Sequence, residues 1–264
     1  MSNNAPNINA LFQGAYAEGD LSTQGLQTLT VNADIGMQIQ AGLGIAPDDV
    51  PSAEVLLVTM MPDDSGSIRF AGSAAAVRNG HNLVFDALEL CKQQDDILVH
   101  TRYLNGGVLF PYRKLSDAVR MTKQNYNPNK GTPLYDQTAV VLGTVLAKAW
   151  EFEENGVPAR TVTLIITDGA DEHSTHQTPA TVRALVEDML RAESHIIAAM
   201  GIDDGYTNFR NVFRDMGIQD EWILTPGNTA NDIRAAFQVF SQSAVRASQG
   251  ATTFAQSALG GFTN

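Results

Sequence analysis

The chain has 264 residues, 44% of them hydrophobic and only 17% charged, a length that suits one domain of about 200 residues with extensions. Acidic side chains outnumber basic ones 29 to 17, for a net charge of −12, which excludes a general nucleic-acid binder because phosphate neutralisation needs an excess of Lys and Arg. Eight of the acids precede the first base, Arg69, nothing beyond Arg246 is charged, and a single cysteine, Cys91, excludes an internal disulfide.

No basic N-terminal segment leads into an apolar run, and no stretch approaches the roughly 18 apolar residues of a membrane span. The expectation is a soluble, cytoplasmic protein, and the lone cysteine fits a reducing compartment.

Residues 1–52 are rich in Asn, Gln, Ala, Gly and Ser and are expected to be an N-terminal extension, weakly structured or flanking the domain. Leu26 to Val31 and Met37 to Ala41 fit a hairpin around Asn32-Ala33-Asp34 and equally a short helix capped by Asp34. The pattern changes at residue 53. Val55 to Met61 is a continuous apolar run, as in a strand buried on both faces. A helical pattern follows over about residues 73–93. Ile97 to Leu104 and Gly107 to Tyr112 read as strands joined by Asn105-Gly106, a hairpin signal, and a helix is expected over 115–123. Another helix opens at Pro133, where proline suits the first helical position, and Gly156 and Pro158 close it. Thr161 to Thr167, His195 to Ile202 and Glu221 to Leu224 are further strands, alternating with helical patterns near 178–193, 207–216 and 229–245. This order predicts an α/β fold: a doubly wound, mostly parallel central sheet, Rossmann-like, with one antiparallel edge strand and helices on both faces, over residues 53–245. Residues 246–264 read as an uncharged tail.

In such sheets ligands bind beyond the carboxyl ends of the strands, and three segments meet that condition. They are Asp63-Asp64-Ser65-Gly66-Ser67 after the first strand, Gly131-Thr132-Pro133 before the long helix, and Thr167-Asp168-Gly169 after the next buried strand. Mg²⁺ takes six oxygen ligands at about 2.1 Å. Ser65, Ser67 and Thr132 offer hydroxyls; Asp63 and Asp168 offer charge, directly or through water. Neutral hydroxyls leave most of the metal's charge uncompensated, so an open position attracts a carboxylate from outside. Capping and turn roles account for any one of these segments but not for all three in order.

Asp63-x-Ser65-x-Ser67, Thr132 and Asp168 resemble the metal-ion-dependent adhesion site of the von Willebrand factor type A family, over about residues 53–245. The resemblance implies a non-enzymatic, bacterial, cytoplasmic protein-binding domain. It would hold Mg²⁺, with Mn²⁺ or Ca²⁺ as alternatives, and grip a partner's Asp or Glu through the ion. It also implies partners such as an AAA+ ATPase or a stress-response complex, and Phe237 to Ser248 is similar to the last helix of tellurite-resistance-like members. One departure is Pro62, where the family has an apolar strand residue. The strand is expected to stop early or bulge there, and Asp64 stands as the alternative to Asp63.

Asp171, Glu172, His173 and His176 follow on the same rim. They read either as a solvated loop capping the helix at Thr178-Pro179 or as an acid–base group, the basis of an alternative function as a metal-dependent hydrolase of phosphate or peptide substrates. Asp203 and Asp204 read as a turn or as a further cation site. Tyr135 and Tyr206 are expected to be partly buried, and Phe70 and Trp222 to pack inside.

Overall fold

The computed structural model describes residues 7–31, 33–249 and 261–263. The apolar runs form a six-stranded sheet: β1 (Val55–Met61), β2 (Ile97–Arg102), β3 (Val108–Lys114), β4 (Ala159–Thr167), β5 (His195–Gly201) and β6 (Ile223–Leu224). The strand order is β3-β2-β1-β4-β5-β6. Every pairing is parallel except β2 with β3. β1, β2 and β5 are buried along their whole length, because helices cover both faces of a parallel sheet. β3, at the edge, is half-buried and carries Pro111, which an edge strand tolerates. The mostly parallel pairing and the single antiparallel edge are those expected from the sequence.

The helices are α1 (Ile8–Glu18), α2 (Thr23–Thr30), α3 (Ala33–Leu43), α4 (Gly66–Phe70), α5 (Ala74–Leu88), α6 (Leu134–Glu154), α7 (Pro179–Arg191), α8 (Phe209–Asp215) and α9 (Ala230–Gln249). On the sheet, α5 packs against α9, while α6 packs on β4, β1 and α7. Among the described residues no helix is long and apolar enough to cross a membrane.

Of the two patterns open for residues 26–41, the helical one forms, but as parts of two helices, and Asp34 lies inside the first turn of α3 instead of capping a helix. Phe12, Leu29, Ile35, Ile39 and Leu43 are buried, with the Phe12 ring edge-on to Trp150 at 6.1 Å. Gly143 on α6 admits the side chains of Leu29 and Ile39, which a Cβ would meet at 2.6 and 2.7 Å. The buried Asp188 of α7 accepts both the N–H and the hydroxyl of Ser22, at 2.9 and 2.8 Å. Asp188→Ala leaves those donors unpaired and is expected to cost about 1–3 kcal/mol, read as a lower urea midpoint. The expected tail after Arg246 falls mostly outside the described residues; within them, α9 runs on to Gln249.

Three expected elements differ. Of the strand expected over Glu221 to Leu224, Glu221 and Trp222 lie in a 3-10 turn and only Ile223–Leu224 pair in the sheet. Residues 115–123 form a 3-10 turn at Leu115–Asp117 and then irregular chain. Long-range bonds hold that chain: Asn82 accepts the Met121 N–H at 2.8 Å and donates to the Met121 carbonyl at 2.9 Å. The hairpin strands end at Arg102 and resume at Val108, because the intervening turn is drawn onto the rim: the Leu104 N–H reaches the Pro62 carbonyl at 3.1 Å, and Gly106 turns at φ +84°.

Candidate metal centre

β1 stops at Met61, one residue before Pro62, so the early stop expected of the proline occurs. Asp63 is nonetheless fully buried and pointed inward. Its Oδ1 accepts the Ser65 N–H at 2.7 Å; its Oδ2 accepts the Thr167 hydroxyl at 2.9 Å and the Asp168 N–H at 3.3 Å. Asp63 therefore ties the end of β1 to the end of β4 and shapes the loop around Ser65. Asp64 faces away: its Oδ1 accepts the Asn105 N–H at 2.9 Å, and its carbonyl accepts the N–H groups of Asn129 and Lys130.

The loop places three oxygens together. Ser67 Oγ donates to Asp168 Oδ1 at 2.6 Å, Ser65 Oγ lies 2.8 Å from Ser67 Oγ, and Ser65 Oγ is 3.4 Å from Asp168 Oδ1. Adjacent ligands in an octahedron of radius about 2.1 Å are about 3.0 Å apart, so this triangle has the dimensions of one octahedral face. Ser65 and Asp168 are buried while Ser67 is exposed, which sets the opening of the cluster on the Ser67 side.

Thr132 arrives on the neighbouring loop. Gly66 N–H bonds the Lys130 carbonyl at 3.0 Å, a bridge links Ser65 with Lys130, and Asn105 Nδ2 donates to the Gly131 carbonyl at 2.6 Å. Thr132 is buried and held from the far side by the loop after β4. Its N–H donates to His173 Nδ1 at 2.9 Å, and its carbonyl accepts the N–H groups of Glu172 and His173 at 3.1 and 3.3 Å.

The electrostatics are those of an unbalanced acidic pocket. Burial holds the Asp63 carboxyl above its usual range against the pull of its hydrogen bonds. Burial, aided by the Asp63 charge, pushes Asp168 up to about 6. Asp64 is also raised to about 6, again chiefly by burial. The strongest influences on Asp168 besides burial are hydroxyls and other carboxylates; a bound cation would supply the missing charge. Among the described residues no three His, Cys, Asp or Glu side chains converge on one point. The cluster is instead built of hydroxyls with two carboxylates, a donor set that fits a hard, oxygen-seeking cation.

Two contributors, Tyr126 and Asp136, carry no sequence signal of their own. The buried Tyr126 hydroxyl donates to the Asp63 carbonyl from irregular chain. Asp171 accepts the Tyr135 N–H and the Ser174 hydroxyl. Asp136 accepts the N–H groups of Thr175, His176 and Gln177. The rim loop after Asp168 is thus interlocked with the start of α6, with Asp171 of the loop and Asp136 of the helix each engaged with backbone amides. Asp203 and Asp204 take up turn roles: Asp204 accepts the N–H groups of Tyr206 and Thr207, and Asp203 that of Gly205. Trp222 is buried as expected, but Phe70 and Tyr206 are not, standing 81% and 97% exposed. Both lie on short rim segments, with no element packed over them.

No protein-family model and no curated protein matches the sequence. Solved structures do match. The pilus adhesin SpaC from Lactobacillus rhamnosus GG, in an open conformation, superposes with a TM-score of 0.54 at 14% identity, over 73% of this chain and 30% of its own. Proximal thread matrix protein 1 from the mussel byssus superposes at 0.50 and 14% identity, over 74% of this chain and 47% of its own. A von Willebrand factor type A protein from Catenulispora acidiphila aligns at 0.44 and 15% identity over 73% of this chain and 43% of its own, too loosely to bear on the fold. The chain spans less than half the length of each of these proteins. With the strand order above, the likeness establishes the fold alone: a mostly parallel, Rossmann-like sheet with one antiparallel edge, shared with the adhesin and the byssus protein.

Proposed function

We propose that the rim cluster binds a divalent cation and that the chain uses the ion to grip an Asp or Glu carboxylate of a partner protein. The observation that carries this reading is the triangle of Ser65 Oγ, Ser67 Oγ and Asp168 Oδ1, with sides of 2.8, 2.6 and 3.4 Å, beside carboxylates that burial leaves undercompensated. In this proposal Ser65, Ser67, Thr132 and Asp168 provide oxygens. Asp63, whose own oxygens are taken by Ser65, Thr167 and Asp168, holds the loop and contributes charge. Mg²⁺ is the first choice because such a shell is small, hard and oxygen-only; Mn²⁺ and Ca²⁺ are the alternatives. One direct carboxylate leaves net positive charge on the ion, and the exposed side at Ser67 leaves room for an incoming carboxylate.

The proposed role is binding rather than catalysis. Asp171 and His173, two of the rim groups read as acid–base candidates, already hold backbone amides, as does Asp136. The cytoplasmic assignment, with an AAA+ ATPase or stress-response complex as the partner class to test first, belongs to the same proposal and rests on the sequence resemblance.

Calorimetry with Mg²⁺ and Mn²⁺ on wild type and Ser67→Ala tests the site. Loss of a direct oxygen should weaken binding by about tenfold or more, since even outer contacts in metal sites are worth 10–100-fold. Equal binding by both proteins would sink the site. Capture of partners in Mg²⁺ with elution by EDTA, repeated with each candidate's acidic residues changed to Ala, then tests the carboxylate grip.

A further inference from the structure

We infer that His173 is a positioning residue for the cation site: its Nδ1 holds the Thr132 backbone so that the Thr132 hydroxyl is presented to the ion. The inference rests on the cation reading above and adds to it a residue outside the hydroxyl–carboxylate set.

Thr132 lies in irregular chain between Gly131 and Pro133, ahead of α6, so no helical or strand bond fixes its peptide groups. What fixes them is the segment five residues beyond Asp168. The Thr132 N–H donates to His173 Nδ1 at 2.9 Å, and its carbonyl receives the N–H groups of Glu172 and His173. One short stretch thus clamps both polar groups of the Thr132 backbone and, through the chain, ties them to Asp168.

The imidazole reaches this position because residue 131 is glycine. A Cβ there would lie 2.8 Å from His173 Cγ and Nδ1 and 2.9 Å from Cδ2, closer than side chains approach. A backbone N–H can only donate, so Nδ1 is the bare nitrogen of a neutral ring and the proton sits on Nε2. His173 is itself exposed, so core packing does not account for the placement. The loop also has anchors that do not pass through the ring: Asp136 on Thr175, His176 and Gln177, and Asp171 on Tyr135 and Ser174. Removing the acceptor should therefore leave the fold and the bonds to the Thr132 carbonyl in place and release the Thr132 N–H alone.

The test pairs Mn²⁺ calorimetry with amide hydrogen exchange at Thr132 in wild type, His173→Phe and His173→Asn. Phe keeps a flat ring against Gly131 without an acceptor. Asn sets its Oδ1 close to where Nδ1 stood. His173→Phe should bind Mn²⁺ about tenfold more weakly, as for other residues that orient a ligand, and its Thr132 amide should exchange faster. His173→Asn should restore both. Should the Phe variant fail to fold, His173→Gln, whose acceptor falls nearer the Nε2 position, takes its place with the same expected loss. Wild-type affinity and exchange in the loss variant would overturn the inference, as would an Asn variant no better than Phe. A wild type that binds no Mn²⁺ overturns the cation reading instead, and the Thr132 exchange rates then decide the clamp by themselves.

Discussion

Asp168→Asn is expected to raise the melting temperature of the metal-free protein by a few degrees and to abolish its response to Mg²⁺. Asp168 is 4% exposed, and burial beside Asp63 pushes its carboxyl up to about 6. In neutral buffer the wild type thus carries a charge at a place that resists it, with another carboxylate as neighbour. The amide keeps the shape and an oxygen to accept from Ser67 Oγ, now 2.6 Å from Oδ1, while removing the repulsion. A cation reverses the balance. A ligand at 100 times its dissociation constant stabilises the fold by about 2.7 kcal/mol. For a domain of about 200 residues that is a rise of about 5–10 °C. Wild type should therefore melt below the variant without metal and above it with Mg²⁺. Thermal denaturation of both proteins with EDTA and then with excess Mg²⁺ reads the crossing. Parallel curves, with both proteins shifted equally by Mg²⁺ or neither shifted, would remove Asp168 from the ion.

The same contrast between shape and charge explains what was legible in the sequence. The sheet was, because β1 and most of β5 are apolar runs and β4 is rich in Thr, Val and Ile, as in strands buried between two helical layers. The meeting of Ser65, Ser67 and Asp168 was legible too, because each sits next to a strand end and strand order fixes which ends are neighbours. The role of Asp63 was not. Its spacing to Ser65 is the same whether its oxygens face an ion or the Thr167 hydroxyl and Asp168 N–H, and only the packed rim selects the second. Tyr126, and the use of His173 as an acceptor for Thr132, were hidden for a related reason. Each touches the site from irregular chain, whose path follows single long-range bonds such as Asn82 with Met121 and carries no period. The N-terminal helices illustrate the converse. Their polar composition leaves weak structure and a flanking role equally open, and a few apolar side chains suffice to pack them where Gly143 lets Leu29 and Ile39 approach α6 closely.

Acid should destabilise the protein through three buried histidines that are not part of the rim cluster. His81, His100 and His195 are buried, and burial lowers them to about 4, 3 and 4. Their partners suit neutral rings: His81 Nε2 lies 2.9 Å from the Thr101 hydroxyl, His100 Nδ1 donates to the Phe110 carbonyl at 2.7 Å, and His195 Nδ1 lies 2.8 Å from the Thr161 hydroxyl. An unfolded histidine takes its proton near pH 6.5. Between there and about pH 4 the unfolded chain binds more protons than the fold, so stability falls as pH falls through that window and levels off below it. At pH 5 each ring costs about 2 kcal/mol relative to neutral pH. The raised carboxyls of Asp64 and Asp168 act in the opposite sense over much of the same range, so the wild-type slope is a difference of two terms. A single substitution separates them. His195→Asn, which keeps a polar group for Thr161 and cannot be protonated, should start less stable at pH 7 and lose about 2 kcal/mol less than wild type on going to pH 5, measured as urea unfolding free energies at the two pH values. Equal losses in variant and wild type would mean that His195 titrates in the fold as it does in the open chain, and that its burial leaves the proton equilibrium untouched.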